Sequence, residues 1–233
     1  MVRGYYFGRK KNRSGLLVLL LFLTALLLVS CVAGSNVLWV KGLFGLDIAD
    51  YAAEPTDRTH ALDGGVSVVL CEGISVLVGD RLELRTFGGS AQAVELYRDE
   101  ILDFMMRKSY VRYTGNADLI SKAQAAYPHA IFTTVIPQKD FENTVFRYFG
   151  GNTVEHGSGA LYSYLDRSDC YTTVGGTRES RVEIQPTLIE ETANTYRMEF
   201  RLTREGEESA LYRAIFVKRT DGAPYLKALQ EAK

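Results

Sequence analysis

The sequence predicts an α+β fold, with an apolar N-terminal helix followed by two or three helices packed on an antiparallel sheet. Three observations carry that prediction. Apolar residues recur at three- and four-residue steps from Val94 to Met105 and from Phe141 to Phe149, as on one face of a helix. They alternate with polar ones from Tyr196 to Thr203, as along a half-buried strand. The chain has 233 residues, of which 46% are hydrophobic and 24% charged, enough apolar surface for a core and unlike a disordered or collagen-like composition. That length suits one domain with an appendage.

The appendage comes first. Arg3, Arg9, Lys10, Lys11 and Arg13 are cationic, and no acidic residue precedes Asp47. Leu16 to Leu28 is apolar apart from Thr24. A basic segment followed by an apolar one is the pattern of an export signal, the charges staying on the cytoplasmic side. Leu28-Val29-Ser30-Cys31 comes next: an aliphatic residue, a variable one, a small one and a cysteine. This resembles the lipobox of bacterial lipoproteins of the Gram-positive type. The resemblance implies cleavage between Ser30 and Cys31, a diacylglyceryl group on the Cys31 thiol, and a palmitate-type acyl anchor on the outer side of the cell membrane. Residues 1–30 are then a signal peptide, 31–63 a tether and 64–233 an extracytoplasmic domain.

An uncleaved single-span anchor reaching to about residue 40 is the alternative. Leu16–Ala33 is eighteen residues with only Thr24 and Ser30 polar, and Val37–Val40 extend it, with Trp39 and Lys41 as outer anchors. A cleaved, secreted form is a third possibility. All three place the domain outside the cytoplasm. The chain has 27 basic and 28 acidic residues; five basic ones fall within the first thirty, so the remainder holds 22 against 28, a net of −6. With no basic stripe, that balance excludes nucleic acid as a partner.

From Gly64 to Gly89, Val66–Cys71, Ile74–Val78 and Arg81–Phe87 read as three short strands with glycine turns between them. Ser90 then caps a helix whose inward stripe is Val94, Tyr97, Ile101, Phe104 and Met105. Glu95, Arg98, Asp99, Asp103 and Arg107 form its solvated face. Thr114-Gly115-Asn116 ends it, and a shorter helix runs from Asp118 to Tyr127, stopped by Pro128. Ile131–Val135 reads as a buried strand. Pro137 opens a helix with Phe141, Val145, Tyr148 and Phe149 inward, closed by Gly150 and Gly151.

The remainder has the period of strands: Leu161–Leu165, Cys170–Val174, and Arg181–Ile184 with Pro186 marking an edge or bulge. Tyr196–Thr203, Leu211–Val217 and Tyr225-Leu226 follow, turned by Glu205-Gly206-Glu207 and Asp221-Gly222. This order of elements over 90–233 resembles the nuclear transport factor 2-like and, more loosely, the cystatin-like folds, which implies a curved sheet wrapped on a long helix.

The residues favour binding over catalysis. His60, His129 and His156 are the histidines, and Val154-Glu155-His156-Gly157-Ser158-Gly159 holds the most tempting constellation. Adjacent side chains on an extended chain face opposite ways, however, and the glycine spacing is not that of a nucleophile elbow, so no catalytic residue is assigned. The glycine pairs lack the spacing of a phosphate loop. Asp166, Asp169, Glu190 and Glu191 lack the spacing of a calcium loop, so neither metal nor cofactor is expected. Cys71 and Cys170 are a possible disulfide in an oxidising compartment, or buried thiols. Tyr162, Tyr164, Tyr171, Tyr196 and Tyr212 all fall on expected strands, where they either pack the core or line a pocket. The expectation is a membrane-anchored binding or accessory protein, partnered by the membrane through its lipid and by an envelope protein or small ligand. The alternatives are an envelope enzyme or small-ligand receptor using a pocket on the sheet, and an integral single-span protein.

Overall fold

The computed structural model describes residues 56–151, 154–173, 181–220 and 222–232. The chain divides into two units, Met1–Asp47 and Ile48–Lys233, and all described residues belong to the second. The basic segment, the apolar run and Leu28–Cys31 lie outside the described residues. Among those that are described, no helix is long and apolar enough to cross a membrane.

The second unit is α+β, with four helices and two antiparallel sheets among its described residues, where the sequence suggested two or three helices on one sheet. It opens with β1 (Arg58–Thr59) and then α1 (Gly65–Ser75), which replaces the first expected strand, its turn and the start of the second. Residues 76–78, the rest of the expected strand Ile74–Val78, pass through a turn and form no strand. Val66, Val68 and Val69 favour a strand locally, but Ser67, Leu70, Gly73 and Ile74 are buried at helical spacing and decide the outcome. Gly73 is a point of close approach: a Cβ there would stand 2.6 Å from Cε1 of Phe216. The expected strand over Arg81–Phe87 is also absent; Phe87 alone forms a bridge, to Leu229. That segment is held instead by tyrosines. Leu84 donates its N–H to the Tyr212 hydroxyl at 2.9 Å, and the Tyr97 hydroxyl donates to the Arg85 carbonyl at 2.6 Å.

Helix α2 (Ser90–Tyr113) begins at the expected serine, although Gly89 occupies the cap position. Every residue from Ile101 to Met106 is buried, so α2 is central to the core. Its backbone leaves helical geometry at Tyr97 and Ser109. Asn116 caps α3 (Ala117–Ala126) by accepting the Leu119 N–H at 3.2 Å. The next strand, β2 (Thr134–Pro137), begins three residues later than expected, and Ile131 is 84% exposed. Helix α4 (Gln138–Phe149) buries Phe141, Val145 and Phe149 and closes at Gly150, whose φ of 72° suits glycine.

Strands β3 (Ser163–Leu165) and β4 (Cys170–Thr173) join β2 in a small sheet of order β2-β4-β3. The larger sheet contains β5 (Glu183–Glu191), β6 (Thr195–Arg204), β8 (Tyr212–Val217) and β9 (Tyr225–Glu231) in the order β1-β5-β6-β8-β9, with β7 (Glu207–Glu208) beside β6. Glu205 and Gly206 both take positive φ, the signature of a tight hairpin between β6 and β7. Met198, Phe200 and Leu202 of β6 are buried as the alternation predicts. On its other face, directly opposite partners pair by charge: Arg197 with Glu190 at 3.2 Å, and Glu199 with Arg213 at 2.7 Å. Pro186 and a register shift between Pro186 and Leu188 interrupt β5, which β1 covers only at Glu190 and Glu191. At the other margin, Phe87 and Leu229 exchange two backbone hydrogen bonds of 3.0 Å.

Candidate functional site

The polar face of α2 proves to be a built surface. Asp99 accepts backbone N–H groups from Ala160, Leu161 and Tyr162 at 2.7, 3.2 and 3.3 Å. The loop can fold this closely because residue 159 is glycine: a Cβ there would lie 2.1 Å from Asp99 Oδ1. One residue earlier on the helix, Arg98 donates from Nη2 to the Glu155 carbonyl at 2.9 Å. One turn later, Asp103 is 7% exposed and accepts the Tyr162 hydroxyl at 2.7 Å. Burial first, and then the Asp103 carboxylate, push the Tyr162 phenol far above its ordinary pKa. Arg107 reaches the other way, donating to the carbonyls of Ser75 and Val78 at 3.4 and 3.2 Å. The face read as solvated thus clasps the loop from Glu155 to Tyr162 on one side and the chain leaving α1 on the other.

Between these walls lies a cleft of about 610 Å³. Leu77, Leu84 and Tyr97 form a buried floor, and Leu96 and Leu161 are half-buried at its sides. Many of its charges are already engaged. Asp99, Asp103 and Arg107 hold the walls, and Arg85 pairs with Glu100 at 3.3 Å while lying over the Tyr97 ring. Others are not. Asp80, Arg81, Glu83 and Glu95 are exposed, and their side chains hold no polar partner among the described residues. Arg98 spends one nitrogen on Glu155, whereas its Nε is buried without an acceptor. The cleft therefore presents uncommitted charge of both signs above an apolar floor.

His156 fixes the loop from its far side. Its Nε2 lies 3.0 Å from Glu142 Oε1 and its Nδ1 2.8 Å from the Tyr171 hydroxyl, while its ring stacks on Tyr164 with centroids 5.3 Å apart. Gln138 donates to Glu142 at 2.7 Å and accepts the Tyr164 hydroxyl. The Gln138 amide, then His156, hold the Glu142 carboxyl below its usual pKa; burial pushes Tyr171 up to about 12. Glu155, the neighbouring acid, is exposed and offers its backbone carbonyl to Arg98. Ser158 Oγ accepts the Tyr164 N–H at 2.9 Å. With both ring nitrogens engaged and the serine turned to the backbone, the six residues Val154–Gly159 form a fastening and not a nucleophile with its base.

The five tyrosines do not converge. Tyr164 and Tyr171 pack with ring centroids 5.1 Å apart beside His156, and Tyr162 is buried against Asp103. Tyr212 and Tyr196 belong to the larger sheet: Tyr212 accepts from Leu84, and Tyr196 meets the edge of His60 with Lys218 over its ring. Cys71 and Cys170 are free thiols in separate apolar clusters, so the disulfide considered from sequence is not formed. Burial raises the pKa of both. His60 lies 2.6 Å from Glu191, and His129 is exposed. Of the four acids weighed as a calcium site, Asp166 accepts the Tyr127 hydroxyl, Asp169 faces that of Tyr164, Glu190 pairs with Arg197, and Glu191 with His60 and Lys218. Among the described residues, no group of three or more His, Cys, Asp or Glu is placed to hold a metal ion. Comparison with known proteins finds no matching family model, no matching curated protein and no matching solved structure, so the chemistry of this chain is read from its own residues.

Proposed function

We propose that this chain is a membrane-anchored extracytoplasmic binding protein, and that the cleft beside α2 is its binding surface. The observation that carries the binding role is charge of both signs, Arg81 against Asp80, Glu83 and Glu95 with no side-chain partner among the described residues and Arg98 held there only by a peptide carbonyl, on walls that Asp99, Asp103, Arg107 and His156 hold in place. Preorganised polar groups over an apolar floor are what recognition of a small ligand or a partner's side chains requires. The engagement of His156 and Ser158 within the protein favours binding over an envelope enzyme.

The membrane address rests on Leu28-Val29-Ser30-Cys31 after its apolar run. Lipid at Cys31 would restrict the domain to a thin layer beside the bilayer and raise its effective concentration toward envelope partners. The intact mass of the mature N-terminal peptide tests this. The expected peptide begins at Cys31 and carries acyl mass, and Cys31→Ala leaves an unlabelled, uncleaved precursor. A native chain that begins at Met1 without added lipid overturns the lipoprotein reading in favour of the single-span alternative.

A further inference from the structure

We propose that the α2 cleft takes a short zwitterionic peptide, with Arg98 receiving its carboxylate and Glu95 its ammonium group. The proposal rests on the cleft being the binding surface and names what it selects. Glu95 and Arg98 both line the groove, on either side of the point at Tyr97 where α2 leaves helical geometry. The opposite wall repeats the pairing of signs with Arg81 and Glu83.

Ligands of a single charge fit poorly. A polyanion would meet the carboxylates of Asp80, Glu83 and Glu95 at the rim, and a polycation the guanidinium groups of Arg81 and Arg98. A molecule carrying one charge of each sign finds a counter-charge for both. Arg98 is the anchor, because it lines the cleft half-buried with a neutral peptide carbonyl and, among the described residues, no carboxylate as its partner, and a carboxylate is the acceptor a guanidinium fork best matches. The carbonyl is that of Glu155. The volume of about 610 Å³ admits more than one amino acid, and half-buried Leu96 and Leu161 offer contact for small apolar side chains.

Calorimetric titration of the detergent-solubilised full-length protein at low salt tests the proposal with three probes: trialanine, N-acetyl-trialanine and trialanine amide. Trialanine is expected to bind, and blocking either end to weaken binding about tenfold or more, the scale of one charge-assisted hydrogen bond. Glu95→Gln should erase the distinction between trialanine and its acetylated form while keeping the preference for a free carboxylate. Arg98→Gln should do the reverse. Since Arg98 also holds the loop, Glu95→Gln is the deciding variant, its side chain having no polar partner to lose. Equal binding of all three probes, or none at all, overturns the peptide. In the second case, hydrogen exchange at Ala160–Tyr162 and Arg81–Arg85 in the presence of a membrane extract separates the two proposals. Protection there keeps the cleft as the binding surface and overturns only the peptide; its absence overturns both.

Discussion

Phe216 occupies the place where a side chain at residue 73 would begin, and α1 packs on the sheet only because that side chain is missing. Gly73→Ala is therefore expected to destabilise the domain by about 1–3 kcal/mol, the cost of overpacking a core, despite the better helix propensity of alanine. Urea denaturation checks it; an unchanged midpoint would mean that the ring yields without cost. The same position shows why single residues were hard to read. A glycine among valines has the same letter whether it turns the chain or admits a ring from more than a hundred residues away. Asp103 was equally opaque, since its buried partner Tyr162 lies 59 positions later. Glu142 gave no local sign of joining His156, whereas Glu155, next to it in sequence, stays exposed.

At the scale of elements, legibility followed the strength of the periodic pattern. α2, α4 and the alternation along β6 stood out because their apolar positions recur over several turns or pairs, and α3 because Thr114-Gly115-Asn116 and Pro128 bound it. α1 did not, because a run of β-branched residues outweighed a stripe of four. Nor did the cleft, because charged residues on a helix look the same whether they meet water or a loop. β1 is too short to show any period, yet it is firmly attached. His60, one residue beyond it, and Lys218 both contact Glu191, at 2.6 and 2.7 Å, and Lys218 first, then His60, lower the Glu191 pKa from 4.5 to about 2. A carboxylate lowered by folding stabilises the fold above its unfolded pKa and loses that contribution as the pH falls through the folded value. The attachment of β1 should therefore be intact at neutral pH and weaken between about pH 4.5 and 2. Urea stability of Glu191→Gln should be lower than that of the parent at pH 6 and approach it at pH 2; parallel pH profiles would show that Glu191 contributes nothing there.

For the whole molecule, the telling contrast is between a sheet that is large and margins that are guarded. Pro186 withholds a backbone donor and the adjoining register shift bends the open part of β5, while Phe87 covers β9. Pro186→Val restores the donor and is expected to increase self-association, read by light scattering over rising protein concentration. Unaltered scattering would show that the bend alone suffices. If many copies are crowded onto one surface, as the Cys31 proposal entails, guarded margins let neighbours collide without zippering into ribbons. Contact between them would then pass through side chains, which release as readily as they engage, and each copy would remain free to diffuse.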